Sequence, residues 1–207
     1  MKMDIQILDI TGNQRYEKLL YKCLSPIPFR KYRKRREYLE SAIPKGFRKK
    51  FLFLDAQPVG QIEYAPAEAC GYPIFGEKLV VMNCIWVLRK AKGHNFGRML
   101  LSKMVESERW ADSFATIALE DHWSPWFKKW QMEKLGFKPV KSIKVRHKIR
   151  HVNEPFRIYL MWMPVKQNAV SPNWDEEALL KGADFCMAHP LYRPERMGTE
   201  KIMEKIE

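Results

Sequence analysis

The chain has 207 residues, of which 46% are hydrophobic and 29% are charged. These fractions are typical of a folded domain with its own core, and they exclude a disordered chain and a fibre. No apolar run reaches the roughly 20 residues that span a bilayer, and the N-terminus lacks the basic-then-apolar layout of a secretory signal. We therefore expect a cytoplasmic protein that does not associate with a membrane.

The formal net charge of +13 is large for this length and is concentrated in two segments. Residues 28–50 carry ten Lys and Arg side chains against two acidic ones, and residues 138–151 carry six against none. Clustered positive charge indicates an anionic partner or substrate, such as nucleic acid, a phosphate or an acidic surface. The alternative is a solvated face that keeps the protein soluble.

The four cysteines are far apart in the sequence and form no CxxC pair. Closely spaced cysteines are typical of structural zinc sites, and short secreted chains with many cysteines are typical of disulfide scaffolds. The spacing in this chain favours neither, so we expect no metal site and no disulfide framework.

The elements predicted in the first half begin with a strand that ends near Ile10. A short helix follows, and then a basic surface helix over residues 30–42. Residues 50–64 form a hairpin whose connection is the segment 56–60, because Pro58 and Gly60 are typical of turns. Residues 77–88 are almost continuously apolar, as expected of a central strand that is covered on both faces.

The second half begins with a glycine-bearing loop and an amphipathic helix, followed by a short buried strand over residues 114–119. A helix is predicted from Ser124, as its N-cap, to a stop at Gly136. Two strands follow over residues 141–150 and 156–165, and alternation in the first places Lys144, Arg146, Lys148 and Arg150 on one face. Residues 1–165 thus form one α/β domain, and residues 166–207 are predicted to be an appendage that packs on or near it.

The segment with the clearest chemistry runs from the central strand through Lys92–Gly93–His94–Asn95–Phe96–Gly97–Arg98 into the amphipathic helix. A strand that enters a glycine-bearing loop and then a helix presents free backbone N–H groups and the positive end of the helix dipole to an anion. Phosphate is the natural ligand of such a loop. The spacing is neither that of GxxxxGK[ST] nor that of GxGxxG.

This loop resembles the acetyl-CoA signature Q/R-x-x-G-x-G/A of the GNAT N-acetyltransferase superfamily. Lys92 stands at the Gln/Arg position and Gly97 at the last glycine, whereas Asn95 replaces the first glycine. A second match is the segment 126–137, which resembles the late helix of the family that ends in YEKLGF. The resemblance implies a mixed, mostly antiparallel central sheet that is flanked by helices.

The resemblance also implies acetyl-CoA as cofactor and a splayed sheet in which the strand that ends at Val87 contacts the pantetheine arm. The loop would bind the pyrophosphate, and a backbone N–H near Ile85–Val87 would polarise the thioester carbonyl. Trp126 is a candidate wall of the cleft. The implied cofactor-binding residues are Ile85, Trp86, Val87, Lys92, Gly93, His94, Asn95, Phe96, Gly97, Arg98 and Trp126.

The sequence departs from the family pattern at the positions of the acid–base groups. Met132 stands where the family often has a tyrosine that protonates the leaving thiolate, and Val81 stands where some members have a glutamate base. We name Glu120 and Asp121, at the end of the short strand, as candidate general bases. The alternative interpretation is that both are exposed strand-end residues without a catalytic role. Trp123 and Trp130 are predicted to pack in the core.

The resulting prediction is an N-acetyltransferase that transfers an acetyl group to a primary amine by direct attack in a ternary complex. The acceptor is expected to be anionic, because both charge clusters lie outside the cofactor loop. The alternative is a basic nucleic-acid-binding or RNA-associated protein on the same scaffold. The protein is expected to be a monomer or a homodimer.

Overall fold

A computed structural model describes residues 4–21, 23–24, 33–149 and 151–206 of the chain. The predicted contributions of residues 28–32 and Arg150 to the two basic segments lie outside these ranges. The strands are β1 (Ile5–Asp9), β2 (Arg48–Leu54), β3 (Gln57–Pro66), β4 (Ile74–Phe75), β5 (Leu79–Val87), β6 (Ser113–Glu120), β7 (Lys138–His147), β8 (Phe156–Pro164), β9 (Asn173–Trp174) and β10 (Met203–Lys205). The helices are α1 (Glu17–Leu20), α2 (Arg33–Ala42), α3 (Phe96–Ser107), α4 (Lys129–Lys134) and α5 (Glu176–Leu180).

Eight of these strands form one sheet in the order β1-β2-β3-β5-β6-β8-β7-β10. All neighbours are antiparallel except β5 and β6, which are parallel. The predicted mixed, mostly antiparallel sheet is therefore confirmed. β5 is fully buried over Leu79–Cys84 because its apolar side chains are covered on both faces, as its sequence predicts.

The sheet opens between its two parallel strands. β5 and β6 pair only over three residues, Leu79–Val81 with Ser113–Ala115, although each strand continues well beyond this point. The hydroxyl of Thr116 donates to the carbonyl of Met82 at 2.8 Å, just where the pairing ends. Beyond that contact β5 remains paired with β3 and β6 with β8, so a wedge-shaped gap separates the two central strands.

Two local predictions from the sequence were wrong. The hairpin turns at Asp55–Ala56, where both residues have positive φ, and Pro58 and Gly60 lie within β3. Two consecutive residues of positive φ match the right-handed twist of the flanking strands, so the turn is short although neither residue is glycine.

The late helix also begins later than its sequence predicts. The segment after Ser124 does not start a helix, because the backbone carbonyl of Phe127 accepts from Leu119 N at 2.6 Å and extends the pairing of β6. α4 starts only at Lys129. The predicted stop is confirmed, since Gly136 has φ +102 just after the last turn.

The tail, residues 166–206, packs into the same core as the rest of the chain. β9 pairs with β4, and β10 adds a strand to the main sheet beside β7. Trp174, Leu180, Phe185 and Met203 are all buried in the main hydrophobic cluster. The described residues contain no helix with both the length and the apolar character needed to cross a bilayer.

The first basic segment is not a solvated face throughout. Arg35 on α2 is only 1% exposed, and its guanidinium donates to both carboxylate oxygens of Glu63 at 3.1 and 2.7 Å. Lys49 is fully buried and lies 2.9 Å from the same carboxylate. Burial alone would raise the pKa of Glu63, but the charges of Arg35 and Lys49 outweigh it and hold the pKa below its usual value.

The second basic segment follows its predicted alternation over most of its length. Lys144, Arg146 and Lys148 are exposed, whereas Val145 and His147 are buried. Ile149 departs from the pattern, because its side chain is 49% exposed beyond the end of β7. Arg146 forms an ion pair with Glu204 of β10, so the tail supplies part of the balancing charge.

Candidate functional site

The gap between β5 and β6 leaves backbone groups of β5 without a neighbouring strand. Leu88 N donates to the carbonyl of Val59 on β3, so by the alternation of antiparallel pairing Trp86 also faces β3. Ile85 and Val87 consequently direct their N–H and C=O groups toward the gap. These are the positions that the sequence analysis names for the pantetheine arm and for the polarising N–H.

The loop at the wide end of the gap presents an anion cradle. Asn95 adopts a left-handed conformation (φ 58, ψ 19) as the N-cap of α3, and its side chain caps no N–H group. The first N–H groups of this 12-residue helix therefore have neither a side-chain cap nor a partner within the helix. Gly93 has φ +91, and a Cβ atom added to Gly93 or to Gly97 would meet nothing within 4 Å. Both glycines thus face open space rather than packed protein.

The gap and the cradle form one cavity of about 470 Å³, which we call the cofactor cleft. Eight of the predicted cofactor-binding residues line it: Ile85, Trp86, Val87, Lys92, Asn95, Gly97, Arg98 and Trp126. Arg98 is fixed in place because its guanidinium donates to the carbonyl of Lys134 at 2.9 Å. The lining contains three cations and no acidic side chain, so the cleft is suited to an anion.

Three predicted cofactor-binding residues do not line the cleft. Gly93 and His94 are exposed in the loop, and the ring of His94 stacks on Phe96 with centroids 5.3 Å apart. Phe96 is 2% exposed and its ring belongs to the hydrophobic core, so only its backbone faces the cradle. The Phe96 ring therefore anchors the start of α3 in the core. The sequence pattern of the loop does not indicate this packing role.

The cleft wall contains a buried donor that has no partner. The indole N–H of Trp86 is inaccessible to solvent and makes no hydrogen bond within the described ranges. An unpaired buried donor costs about 1–3 kcal/mol. The indole N–H groups of Trp162 and Trp174 are likewise unpaired, so this feature alone does not mark a ligand site. The Trp86 ring stacks on Trp126 with centroids 4.2 Å apart, and this stack crosses from β5 to the segment that follows β6.

The candidate bases lie outside this cleft. Glu120 accepts from the hydroxyl of Tyr159 at 2.5 Å and lies 3.5 Å from Lys129 Nζ. The hydrogen bond from Tyr159, together with the charge of Lys129, lowers the pKa of Glu120. Asp121 is exposed with φ 61. Neither side chain lines the cleft, and their catalytic role stays a prediction.

The positions of the family acid and base carry no proton donor or acceptor in their side chains. Met132 lines the cleft and is 2% exposed, and Val81 is fully buried in β5. Glu63, on the neighbouring strand β3, is neutralised by Arg35 and Lys49 and is also buried. Within the described residues, the cleft lining contains no carboxylate, tyrosine, histidine or cysteine.

Sequence reasoning missed part of the cleft and misplaced two tryptophans. Pro125, Phe127, Trp130, Gln131, Lys134 and Leu135 also line it, all from the segment around α4. Trp123 and Trp130 are each 54% exposed, so the predicted core packing of both rings is wrong. The spacing of the two residues is compatible with one face of a helix. Because α4 starts only at Lys129, Trp123 lies outside the helix and Trp130 lies at the mouth of the cleft.

Histidines cluster on the far side of Trp126. The Nδ1 atom of His122 accepts from Ser124 N at 3.1 Å, so the neutral ring carries its proton on Nε2 and donates to His147 Nε2, also at 3.1 Å. Burial, and next the charge of His147, lower the pKa of His122 to about 3. Among the described residues, no group of three or more His, Cys, Asp or Glu side chains is placed to hold a metal ion.

Comparison with known proteins links this geometry to a fold family. No family model and no curated protein matches the sequence. A GNAT-family protein from Desulfovibrio desulfuricans superposes with a TM-score of 0.55 at 16% identity, over 78% of this chain and 99% of that one.

Two further solved structures are similar in the same way. A GNAT acetyltransferase from Elizabethkingia anophelis, solved with acetyl-CoA, has a TM-score of 0.51 at 12% identity and covers 78% of this chain and 98% of its own. The ribosomal-protein-S18-alanine N-acetyltransferase of Escherichia coli has a TM-score of 0.53 at 12% identity, with 82% and 100% covered. The open parallel strand pair, the loop at its wide end and these superpositions together show that the chain has the fold of the GNAT acetyltransferases.

Proposed function

We propose that this protein is an acetyl-CoA-dependent N-acetyltransferase that uses the cofactor cleft. The observation that carries the proposal is the cradle at the N-terminus of α3, where Gly97 opens onto empty space beside Lys92 and Arg98. Free N–H groups at a helix N-terminus and nearby cations form a site for a pyrophosphate. The structure with acetyl-CoA from Elizabethkingia anophelis shares this fold, which supports the choice of ligand.

The rest of the cleft fits an extended thioester arm. The backbone groups of Ile85 and Val87 face the gap, and an arm in this position would pair with β5 as an added strand does. When bound, acetyl-CoA supplies the acetyl thioester that an amine attacks.

The chain's own residues contribute position and charge rather than acid–base groups. Holding two reactants in line provides several kcal/mol of rate acceleration, and an N–H aimed at the developing oxyanion adds to it. The lining offers no tyrosine to protonate the departing thiolate, so water supplies that proton. The amine must then arrive neutral, and burial in an apolar site promotes this by lowering an amine's pKa.

Calorimetric titration with CoA and acetyl-CoA tests the proposal. We expect a dissociation constant below about 100 μM for both ligands. Gly97→Asp places an acid in the cradle at a position where it meets no protein atom and complements the helix dipole, so the fold is retained. We expect it to weaken CoA binding at least about 100-fold, which corresponds to about 2.7 kcal/mol.

The matched control is Ser102→Asp, which adds the same charge to an exposed position of α3 outside the cleft lining. It should leave CoA affinity unchanged within about twofold, which is about 0.4 kcal/mol. Absence of binding by the unmodified protein at several hundred micromolar would remove the proposal. Equal affinities for the two variants would show that the cradle does not hold the pyrophosphate.

A further inference from the structure

A second cavity, of about 270 Å³, lies against the cofactor cleft and shares Pro125 and Trp126 with it. Pro125 and Trp126 therefore lie where the two spaces adjoin, and the ring of Trp126 stacks on Trp86 of the cofactor side. The remaining wall of the second cavity consists of Trp123, Ser124, His147, Ile149, Met187, Ala188, His189, Pro190, Tyr192, Pro194, Arg196 and Ile202.

Most of this wall comes from the tail, and local hydrogen bonds hold it rigid. His189 Nδ1 accepts from Leu191 N at 3.0 Å, so its neutral ring donates from Nε2 to the hydroxyl of Tyr72 at 2.7 Å. Tyr72 in turn donates to the carbonyl of Asn83 on β5. A segment outside the predicted 1–165 domain is thus connected to the central strand through Tyr72.

The chemistry of the second cavity differs from that of the cofactor cleft. Its wall is predominantly aromatic and aliphatic and contains no acidic side chain. Burial lowers the pKa of His189 to about 3, so this ring is neutral near pH 7. Among the described residues, Arg196 is the only wall residue with a permanently charged side chain, and it is exposed and forms no ion pair with a described residue.

These properties select a class of ligand. An ammonium group finds no counter-charge there, so a neutral amine is favoured. The cation at the rim favours a ligand that also carries a carboxylate, because a planar guanidinium binds carboxylate with two parallel hydrogen bonds. The second cavity has a volume of about 270 Å³. Sites for drug-sized molecules have volumes of about 300–1,000 Å³, so the ligand of this cavity is compact.

We propose that the second cavity is the acceptor site and that the acceptor is a free amino acid with an apolar or aromatic side chain. This inference rests on the proposed function. The neutral amine forms the new C–N bond to the acetyl carbonyl carbon while the C–S bond of the thioester breaks. The thiolate leaves with that electron pair and takes a proton from water, and the amine nitrogen releases a proton to water.

A large polyanion fits this site less well than a small molecule does. None of the exposed cations of β7 lines the second cavity, and Arg35, Lys49 and Lys50 of the first basic segment are buried. The described part of the charge excess therefore does not line the acceptor site. Acetylation of a nucleic-acid-bound or peptide amine is accordingly an outcome that would contradict the proposal.

The experiment uses the full chain with acetyl-CoA, and it measures thiol release together with product mass. The apolar acceptors are leucine, methionine and phenylalanine, and aspartate is the acidic comparison. Phenethylamine is phenylalanine without its carboxylate. Short peptides and an oligoribonucleotide represent the larger acceptors. We expect N-acetylation of the apolar amino acids, and a KM for phenethylamine about five times or more above that for phenylalanine.

Arg196→Gln tests the carboxylate contact. It should raise the KM for phenylalanine about fivefold and leave kcat, CoA affinity and the KM for phenethylamine unchanged, because only the carboxylate loses a partner. Arg109→Gln, at an exposed position outside both cavities, is the matched control and should change none of these values.

Failure of this inference is distinguishable from failure of the proposed function. If CoA binds but peptides or RNA are acetylated in preference to free amino acids, the acceptor proposal is wrong while the cofactor proposal stands. An Arg196→Gln variant with an unchanged KM for phenylalanine also overturns it. If calorimetry detects no CoA binding, the proposed function is wrong and this inference falls with it.

Discussion

The two sides of Trp126 treat their polar groups in opposite ways. On the cofactor side, Lys92 and Arg98 are exposed, Gly97 faces open space, and the indole N–H of Trp86 is unpaired. On the tail side, Gly182 is tightly packed, and the buried ring of His189 has both nitrogens engaged in hydrogen bonds. The cofactor side is thus prepared for an anion, whereas the tail side leaves a small apolar space that suits a compact, mainly apolar ligand.

This difference shows that a binding site can be recognised by what it leaves unsatisfied. Protein interiors pair their polar atoms, so the uncapped N–H groups at the start of α3 are informative. Near the tail, buried His189 and Tyr72 are hydrogen-bonded to each other and hold the fold. The following variants test whether that division holds.

The largest expected effect is at the buried ion cluster that joins α2, β2 and β3. Glu63→Gln removes the only carboxylate that faces Arg35 and Lys49 in the described structure and leaves two buried cations in proximity. We expect a loss of about 3–5 kcal/mol in the free energy of unfolding, measured by urea denaturation.

The control for this variant is Glu40→Gln, which breaks the exposed pair with Arg36 on α2. It should cost at most about 0.5 kcal/mol, because exposed pairs within a helix are weak. Similar costs for the two substitutions would show that the buried cluster is not a structural centre.

The next effect concerns pH and the tail. The pKa of His189 is lowered from 6.5 to about 3, so between these values the unfolded chain binds a proton that the native state excludes. Stability therefore falls as pH falls through this window. Between pH 7 and pH 4.5 we expect His189 to account for a loss of about 2–3 kcal/mol.

His189→Gln retains hydrogen-bonding capacity without a titrating group and should remove this part of the loss. Urea denaturation at the two pH values measures it. His94→Gln at the exposed loop position serves as the comparison and should leave the pH dependence as in the unmodified protein. An unchanged pH dependence in His189→Gln would contradict the prediction.

Two glycines, Gly182 in the tail and Gly97 in the cofactor cleft, are expected to show smaller effects on stability when replaced by alanine. A Cβ at Gly182 in the tail would lie 2.5 Å from Ile202 Cδ1 and 2.6 Å from the carbonyl of Leu191, at φ +85. We expect Gly182→Ala to lower the free energy of unfolding by about 2 kcal/mol.

Gly97→Ala, in the cofactor cleft, should leave stability equal or raise it by up to about 1 kcal/mol, because alanine favours a helix. It should weaken CoA binding instead. Thermal unfolding and calorimetry on both variants measure the two quantities. If Gly182→Ala were neutral and Gly97→Ala destabilising, the division between the two sides would be reversed.

The smallest expected effect is at the candidate base. Glu120 does not line either cavity, and its hydrogen bond from Tyr159 lowers its pKa. We expect Glu120→Gln to change kcat/KM less than about threefold, which is about 0.6 kcal/mol. A fall of 100-fold or more, with loss of the acidic limb of the pH–rate profile, would restore Glu120 as the base.

Much of the cofactor side could be predicted because its signals are local. The strand, loop and helix around Gly97 are continuous in sequence, so residue types and spacing suffice to indicate the cradle. The mixed antiparallel sheet is likewise confirmed. The error in the predicted start of α4 has a physical cause. Ser124 and Pro125 favour a helix start, but the hydrogen bond from Leu119 N to the Phe127 carbonyl keeps this segment extended beside β6.

The tail side could not be predicted because its signals are long-range. Arg35 and Glu63 are 28 residues apart, and Tyr72 and His189 are 117 residues apart. Nothing in the basic segment around Arg35 indicates that one of its cations is internal. Cys23 and Cys84 are also distant in sequence, and the side chain of Gln61 donates to the sulfur atoms of both. The sequence does not indicate that these three residues meet.

The sequence by itself determined the order of the elements up to β8, except for the two-residue β4, and it predicted the glycine-bearing loop with Lys92 and Arg98, because these depend on neighbouring residues and on backbone propensity. Only the tertiary structure decided which charges are buried, that two cavities adjoin at Pro125 and Trp126, and that residues 187–202 wall the second one. Those features depend on which distant segments meet across the sheet, and that is fixed by packing the whole core at once.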